Sequence, residues 1–223
     1  MSTAKPVIIF GNKDFASLAH FYLNEDSDFK VVAFSISSSF INDGESTFEG
    51  KPLVAFEEVE QFMPPDNFDF FAPMSPTHMN KDRELVFHQI KMKGYKMISY
   101  VSSKATTFSN SFIGANCFIL EDNTIQPFTT IGDNCMIWSG NHIGHHSYIE
   151  DHVFLTSHVV ISGHCRIGSN SFLGVNSTLN DGIELAPKTY VCMGTSVSKS
   201  SSEADVIKSE QGKTLKFKSN KIR

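Results

Sequence analysis

The feature that most constrains the fold is a six-residue period in the second half of the chain. From Ile113 to Val197, an isoleucine, leucine or valine stands at every sixth position, fifteen times in succession. This period fits neither the 3.6-residue turn of an α-helix nor the two-residue alternation of a strand. It is the hexapeptide repeat that is typical of a β-helix. Because the frame is unbroken, no loop is expected to interrupt the coils.

When each hexapeptide is numbered from its aliphatic residue, position five holds a small residue in most repeats. Three of the four cysteines, Cys117, Cys135 and Cys165, occupy this position, where we expect them to fill a narrow interior. Their spacing fits no zinc motif such as C-x2-C. None of the cysteines is visibly paired with a base, as a nucleophilic thiol requires. The sequence therefore predicts neither a structural zinc site nor a nucleophilic cysteine.

Position four is filled by asparagine, aspartate, glycine and histidine in nearly every repeat. These residue types best tolerate a positive φ, so this position is expected to form a left-handed corner of the coil. Six of the nine histidines fall between residues 142 and 164, and four of them are in this phase. The predicted corner histidines are His146, His152, His158 and His164.

Two histidines are out of phase with the corners. His142 is at position six, which we expect to face outward on a side of the coil, at a possible subunit contact. His145 is at position three, which is otherwise filled by residues such as alanine, serine, aspartate and glycine. No backbone requirement calls for a histidine there, so His145 is the first candidate for chemistry.

The first hundred residues have a different character, with strand-like and helix-like segments in turn. Strands are predicted at 6–11, 29–37, 67–74 and 96–101, and helices at 14–25, 55–63 and 80–94. This order predicts a small parallel sheet flanked by helices. We expect an α/β domain over residues 1–100, a β-helical domain over 101–200 and a tail over 201–223.

Composition narrows the class of protein. The 223 residues carry a formal net charge of −5, which gives no global basic field for nucleic acid. No apolar run approaches the ~20 residues of a membrane span, and the N-terminus lacks the pattern of a signal peptide. Four scattered cysteines make no disulfide framework. The expectation is a cytoplasmic protein that binds neither nucleic acid nor membrane.

The repeat resembles the left-handed parallel β-helix of the hexapeptide acyltransferases. In that fold three hexapeptides make one triangular coil, so residues 18 apart stack, and about five coils are implied here. The segments "IGHHSYIEDHVF" and "VVISGHCRIGSNSFLGVNS", behind an α/β domain, are similar to nucleotide-sugar N-acetyltransferases. These include the perosamine and bacillosamine-pathway enzymes and the sialic-acid O-acetyltransferase-like proteins.

The resemblance implies an acyl-CoA-dependent N-acyltransferase that acts on a nucleotide-linked amino sugar without a metal. The histidine of the family's I-G-H motif, the proposed general base, matches His145. An amine that attacks a thioester must lose a proton, and an imidazole can accept it at neutral pH. The next residue is usually acidic in the family, whereas His146 stands here. Direct transfer from acetyl-CoA or another acyl-CoA is expected, with both histidines at the catalytic site.

The resemblance also implies binding residues and an assembly. Acyl-CoA would lie along the β-helix beside a neighbouring subunit, in a homotrimer whose active sites lie between subunits. The positions that match the CoA site are Phe154, Gly163, Val175 and Met193. The family often has a histidine where Phe154 stands.

The segment "FGNKDFASL" joins the first strand to the first helix. Gly11 and Ala16 fit the dinucleotide pattern G-x-G-x-x-G/A, but Lys13 replaces its middle glycine, so a nicotinamide cofactor is not expected. The resemblance implies a Rossmann-like domain that binds the nucleotide of the sugar substrate. A helix N-terminus favours phosphate, and a simple strand-to-helix turn is the alternative. The substrate-binding candidates are Gly11, Asn12, Lys13, Asp14, Ser35 and Asn80.

Alternatives remain beside this interpretation. Transfer to a sugar hydroxyl rather than an amine is open, as is a non-catalytic β-helical scaffold. A β-helical carbonic anhydrase would need histidines 36 residues apart, and no two histidines of the repeat have that separation. The basic tail, whose run 205–223 predicts a small hairpin, could meet CoA phosphates or form a solvated face.

Overall fold

A computed structural model describes residues 5–210. Its N-terminal part is a five-stranded sheet, here sheet 1, with the order β3-β4-β2-β1-β5. The strands are β1 Val7–Phe10, β2 Val31–Ile36, β3 Thr47–Phe48, β4 Lys51–Ala55 and β5 Asp69–Phe71. All neighbours pair in parallel except β3 and β4. The predicted small parallel sheet is confirmed for its first three strands. The predicted strand at 96–101 is not one of its strands, because Tyr100–Val101 pairs with Phe118–Ile119 of the coils instead. The short β3–β4 hairpin was not predicted.

Helices pack beside sheet 1. They are α1 Asp14–Glu25, the single turn α2 Val59–Phe62 and α3 Lys81–Met92, with a 3-10 turn at Ser38–Phe40. The apolar side of α1, including Ala16, Ala19 and Leu23, is buried against the sheet. Among the described residues, no helix has the length and apolar character that crossing a bilayer requires.

The second half of the chain forms three further parallel sheets from two-residue strands that stack in coils. Each coil passes through sheet 4, sheet 2 and sheet 3 in turn, and strands 18 residues apart pair, as the repeat predicts. The arrangement is consistent with the predicted left-handed β-helix.

The strands of the coils are as follows. Sheet 2 contains β7 Phe112–Ile113, β10 Thr130–Ile131, β13 Tyr148–Ile149, β16 Arg166–Ile167 and β19 Glu184–Leu185. Sheet 3 contains β6 Tyr100–Val101, β8 Phe118–Ile119, β11 Met136–Ile137, β14 Phe154–Leu155, β17 Phe172–Leu173, β20 Tyr190–Val191 and β22 Val206–Ile207. Sheet 4 contains β9 Thr124–Ile125, β12 His142–Ile143, β15 Val160–Ile161, β18 Thr178–Leu179 and β21 Ser196–Val197.

The corners have the predicted backbone. Every position-four residue from Asn116 to Gly194 has a φ between 56° and 76°. His146, His152, His158 and His164 are among them. Two side chains at this position, Phe128 and Lys188, belong to types that rarely adopt positive φ.

The interior of the coils is apolar and narrow, as expected. The position-one aliphatic residues and the position-five cysteines form one continuous core. The thiols of Cys117 and Cys135 donate to the carbonyl oxygens of Gly132 and Glu150, at 3.1 and 3.2 Å. Burial raises the pKa of the Cys135 thiol. These cysteines are buried filler, which agrees with the interpretation from the sequence.

Sheet 3 carries the N-terminal domain on its outer face. Phe118, Met136 and Phe154 of this face share a core with Val7 and Leu23 of the α/β domain. The two corners that flank sheet 3 also contact this domain. At one of them the Tyr22 hydroxyl donates to Glu121 at 2.7 Å, and burial together with this bond raises the pKa of Tyr22 to about 12.

The start of α3 is attached to the other flanking corner. Arg83 is fully buried, and its guanidinium donates to the carbonyl oxygens of Asn134 and His152 at 3.2 and 2.7 Å. Asn80 accepts from Arg83 at 3.0 Å and donates to the Asn170 carbonyl at 3.0 Å. Buried polar groups are costly unless hydrogen-bonded, so these bonds fix α3 on the coils.

The coils extend past residue 199, where the six-residue pattern predicts their end. Strand β22 pairs in parallel with β20, matching Ile207 to Val191. This separation is 16 residues rather than 18, so the last strand is out of phase with the repeat and the sequence did not reveal it. The turn and second arm of the predicted C-terminal hairpin lie outside the described residues.

Two glycine substitutions should distinguish the contribution of close coil stacking to stability from that of the corner conformation. A methyl group at Gly168 would lie 2.4 Å from the Pro187 nitrogen, whereas one at Gly182 would meet nothing within 4 Å but has a φ of 70°. Gly182→Ala should cost about 1 kcal/mol of unfolding free energy. Gly168→Ala should cost more, up to ~3 kcal/mol. Chemical denaturation measures both, and equal costs would contradict the close approach of the coils.

His152 should make the stability depend on pH. Burial lowers its pKa from 6.5, so near and below pH 6.5 the unfolded chain binds more protons than the folded chain. The unfolding free energy should therefore fall as the pH is lowered from about 7.5 to 5.5. His152→Asn, which keeps a residue tolerant of positive φ, should reduce this decrease, whereas His158→Asn at an exposed corner should not. An unchanged pH dependence in His152→Asn would refute the role of this side chain.

Candidate active site

His145 lies on the corner between strands β12 and β13, where the chain passes from sheet 4 to sheet 2. Its side chain is exposed, and its backbone N–H donates to Oε1 of Gln126 at 2.9 Å. Its Nδ1 lies 3.1 Å from Nδ1 of His146, so one of these nitrogens donates to the other. Within the described part of the chain, the Nε2 of His145 has no hydrogen-bond partner.

Aromatic rings form a column along this corner. His146 stacks between Phe128 of the preceding coil, at 4.6 Å, and His164 of the following coil, at 5.0 Å. The His145 ring stands nearly perpendicular to both histidines, with centroid distances of 5.2 and 5.0 Å. The column follows from the 18-residue coil, because residues 128, 146 and 164 occupy equivalent corners.

A notch at Gly163 makes room for the His145 ring. A methyl group on Gly163 would lie 2.8 Å from Cε1 and 3.0 Å from Nε2 of His145. The same point is 3.0 Å from Oδ1 of Asp181, one coil further on. The missing side chain therefore brings the free imidazole nitrogen and a carboxylate toward one small space, which a substrate group could enter.

The four predicted CoA-contact positions do not lie together in one chain. Gly163 is beside His145, whereas Val175 and Met193 are exposed residues on the corner between sheets 3 and 4. Phe154 corrects the expectation most clearly, because it is only 3% exposed and packs against Phe15 of α1. Its ring serves the contact between domains, so it is not accessible to a ligand in this arrangement.

A cavity of about 1260 Å³ opens beside the start of α1. Four predicted substrate-binding residues, Gly11, Asn12, Lys13 and Asp14, line it. The amide of Asn12 donates to the Phe40 carbonyl at 3.3 Å. Its buried Oδ1 has no partner within the described residues, which leaves an acceptor for a ligand donor.

Among the described residues that line the cavity, Lys13 and Asp14 are the charged side chains without an ion pair or hydrogen bond. Lys93 forms an ion pair with Glu60. Hydrogen bonds from the hydroxyl of Ser37 and the backbone N–H of Ser38 lower the pKa of Glu57 and hold its carboxylate. Lys13, directly before α1, is the remaining cation.

Two predicted substrate contacts, Ser35 and Asn80, do not line this cavity. Ser35 is fully buried in β2, and the neighbouring Ser37 lines the cavity instead. Asn80 is fully buried because it joins Arg83 to the corner carbonyls. The resemblance suggested both as substrate contacts but could not show the direction of their side chains.

One chain does not bring the cavity and His145 together. Every residue that lines the cavity comes from positions 10–93. The α/β domain covers sheet 3 and its flanking corners, whereas His145 stands on the corner between sheets 4 and 2. The two predicted halves of the active site therefore lie on opposite sides of the coil.

Interpretation of the sequence missed three side chains near His145. Gln126 and Asp181 are one coil before and two coils after it, at positions two and three of their repeats. His164 was assigned only a corner role. The 18-residue stacking rule, applied to residues 145, 163 and 181 and to residues 146 and 164, could have found Asp181 and His164. Gln126 is 19 residues before His145, so this rule does not reveal it.

Comparisons with known proteins bear on the repeat and on the fold. Residues 110–145 and 128–163 match the family described as bacterial transferase hexapeptide (six repeats). Residues 165–199 match the hexapeptide repeat of succinyl-transferase. The predicted hexapeptide repeat is thus confirmed. No curated protein sequence matches the chain at a significant level.

Solved structures share the whole architecture. A histidine-to-asparagine variant of perosamine N-acetyltransferase from Caulobacter crescentus, in complex with CoA and GDP-perosamine, matches with a TM-score of 0.81 at 17% identity, covering 92% of this chain and 93% of that one. The acetyltransferase domain of PglB from Neisseria gonorrhoeae matches with a TM-score of 0.78 at 14% identity, covering 95% and 100%. WeeI from Acinetobacter baumannii matches with a TM-score of 0.56 at 13% identity, covering 87% and 94%.

These likenesses establish a common fold that includes both the α/β domain and the coils. The predicted resemblance to nucleotide-sugar N-acetyltransferases is confirmed at the level of fold.

Proposed function

We propose that this protein transfers an acyl group from acyl-CoA to the amino group of a nucleotide-linked sugar, with His145 as the general base. The observation that carries the proposal is the exposed His145 imidazole, whose Nδ1 is engaged by His146 while its Nε2 faces the notch at Gly163. The shared fold with a perosamine N-acetyltransferase crystallised with CoA and GDP-perosamine supports the reaction class.

The pair of histidines supplies the chemistry at this corner. If Nδ1 of His145 carries the ring proton and donates to His146, its Nε2 lone pair is available to the substrate amine. As the amine attacks the thioester carbonyl, its proton moves to Nε2, and the CoA thiolate leaves when the tetrahedral intermediate collapses. His146 then stabilises the imidazolium by accepting from Nδ1. The carboxylate of Asp181 borders the same notch, where its negative charge favours the imidazolium.

Phe128 also stabilises the positive charge on the pair of histidines. Its φ of 64° is unfavourable for a phenylalanine, and its side chain is 57% exposed, so packing does not explain it. Its ring stacks on His146 at 4.6 Å. An aromatic face attracts a nearby cation, so Phe128 favours the protonated histidine pair that forms during transfer.

The nucleotide part of the substrate is assigned to the cavity beside α1. Lys13 and the N-terminus of α1 provide a positive site for phosphate. The unpartnered Oδ1 of Asn12 suits a donor from the base or ribose.

A second copy of the chain completes the site in this proposal. The cavity and His145 are on opposite sides of one coil, so a sugar bound in the cavity of one protomer would meet His145 of its partner. A homotrimer satisfies this requirement with cyclic symmetry. In such a trimer, the corner between sheets 4 and 2 of each protomer would face a neighbouring protomer. Acetyl-CoA or a longer acyl-CoA would lie along the coils near Gly163.

His145→Ala should lower kcat by roughly 10²–10⁴ if general-base catalysis operates. The assay follows free thiol from acetyl-CoA with a panel of nucleotide-linked 3- and 4-amino sugars. His158→Asn, at an exposed corner on another edge, is the matched control and should retain full turnover. Turnover by His145→Ala equal to that of the native protein would exclude His145 as the base. Absence of both turnover and CoA binding in the native protein would exclude the transferase function.

Lys13→Ala should raise KM for the nucleotide substrate about tenfold, which corresponds to ~1.4 kcal/mol of lost binding. The KM for acyl-CoA and kcat should change little, because Lys13 lies in the cavity and not at the catalytic corner. Lys81→Ala, at the first position of α3 and outside the cavity wall, should leave all three constants unchanged. Steady-state kinetics decides between this role and a simple strand-to-helix turn.

A further inference from the structure

Three exposed histidines converge on the catalytic corner, and we infer that His145, His146 and His164 bind one divalent transition-metal ion of the zinc class. Each offers one ring nitrogen, and these atoms all lie within 4.8 Å of one another. We call this set the three-histidine corner. It is separate from the acyl transfer itself, which needs no metal in the proposed reaction.

The donor set fits such an ion. Zinc takes imidazole nitrogens at about 2.0–2.1 Å, and sites with three protein ligands and one water are common. Two nitrogens on one tetrahedral ion are about 3.4 Å apart, and Nδ1 of His145 is 3.1 Å from Nδ1 of His146. The nitrogen of His164 lies within 4.8 Å of the other two. Because its ring stacks nearly parallel to that of His146, His164 must rotate to direct its lone pair at the ion, and its exposed side chain is free to do so.

A second cluster of potential ligands in the chain shows, by contrast, that free ring nitrogens distinguish the three-histidine corner. Glu84, His88 and His152 also gather potential ligand atoms. There, however, Nδ1 of His152 accepts from the Asn134 amide at 2.8 Å. The neutral His152 ring must then carry its proton on Nε2, so neither nitrogen has a lone pair for a metal.

The orientation of the Asn134 amide is fixed by a series of hydrogen bonds that starts at a backbone N–H. The Ala72 N–H donates to Oδ1 of Asn116 at 2.8 Å, and the Asn116 amide donates to Oδ1 of Asn134 at 2.7 Å. Only the Asn134 nitrogen is left to face His152. No such series of hydrogen bonds restricts the exposed rings of the three-histidine corner, so their tautomers are free to change.

Metal binding would oppose the base, a consequence that rests on the proposed function. An ion on Nδ1 of His145 requires that lone pair, so the single proton of the neutral ring must move to Nε2. Nε2 is the atom that accepts the proton from the substrate amine. The ion would also replace the hydrogen bond between His145 and His146. Zinc should therefore act as a reversible inhibitor rather than a cofactor.

Cobalt(II) is the direct probe, because a tetrahedral three-imidazole site gives it visible bands far more intense than the weak absorption of octahedral aqueous cobalt. Titration of the full chain should show saturable binding of one ion per chain, and zinc should displace it. His164→Asn keeps a corner residue tolerant of positive φ and should weaken binding by at least about tenfold. His158→Asn, an equivalent change at another exposed corner, should leave binding unchanged.

Each outcome decides the proposal. Saturable binding that is lost in His164→Asn and kept in His158→Asn supports it. No cobalt spectrum, or a spectrum equally strong in His164→Asn, overturns it. Circular dichroism of each variant establishes that the coil is intact.

The inhibitory consequence is tested separately. Zinc should lower turnover of the native protein and of His158→Asn with the same concentration dependence as cobalt displacement, and chelation should restore it. His164→Asn, compared with its own metal-free rate, should require at least about tenfold more zinc. If the protein has no transferase activity, the cobalt spectra still decide whether the site exists. If it has activity that zinc at saturation leaves unchanged, the inhibitory role is refuted while the transferase function stands.

Discussion

The left-handed residue at each corner is the constraint on which the coils depend. A two-residue strand can stack on the next coil only if the chain turns sharply six residues later, and each turn uses one positive φ. Asparagine, glycine and histidine meet this demand at low cost. The abundance of histidine in this chain is therefore first a matter of backbone conformation. Chemistry arises where corner histidines of adjacent coils stack and a histidine at position three stands beside them.

The same corners explain how the α/β domain is held. At the edge between sheets 2 and 3, the corner residues present carbonyl oxygens to α3, and the buried Arg83 donates to them without a carboxylate partner. Burial lowers the pKa of Arg83 to about 10, so it remains charged at neutral pH. A charged group in this position requires its hydrogen bonds, which makes the docking of α3 specific for this edge.

The repeat predicted the coils and their corners because it reflects a local backbone requirement at each sixth residue. It could not predict the directions of side chains that depend on contact between domains. Asn80 and Phe154 were assigned to ligands, yet the structure uses both to join the α/β domain to the coils. Strand β22 was missed because a two-residue shortening of the last coil shifts it out of the frame. His145 was selected because no structural role accounts for a histidine at its position, and its catalytic role stays a prediction.

These observations restrict where the proposed acyl transfer can occur. The outer face of sheet 3 is occupied by the α/β domain, and the corner between sheets 2 and 3 is occupied by α3. The corner between sheets 4 and 2 remains accessible and holds an imidazole, a glycine notch and a carboxylate. Since the cavity of the α/β domain lies on the far side of the same chain, the proposed site, built from both parts, requires that two copies approach along this corner. The proposed function therefore ties assembly and catalysis to the same edge of the coil.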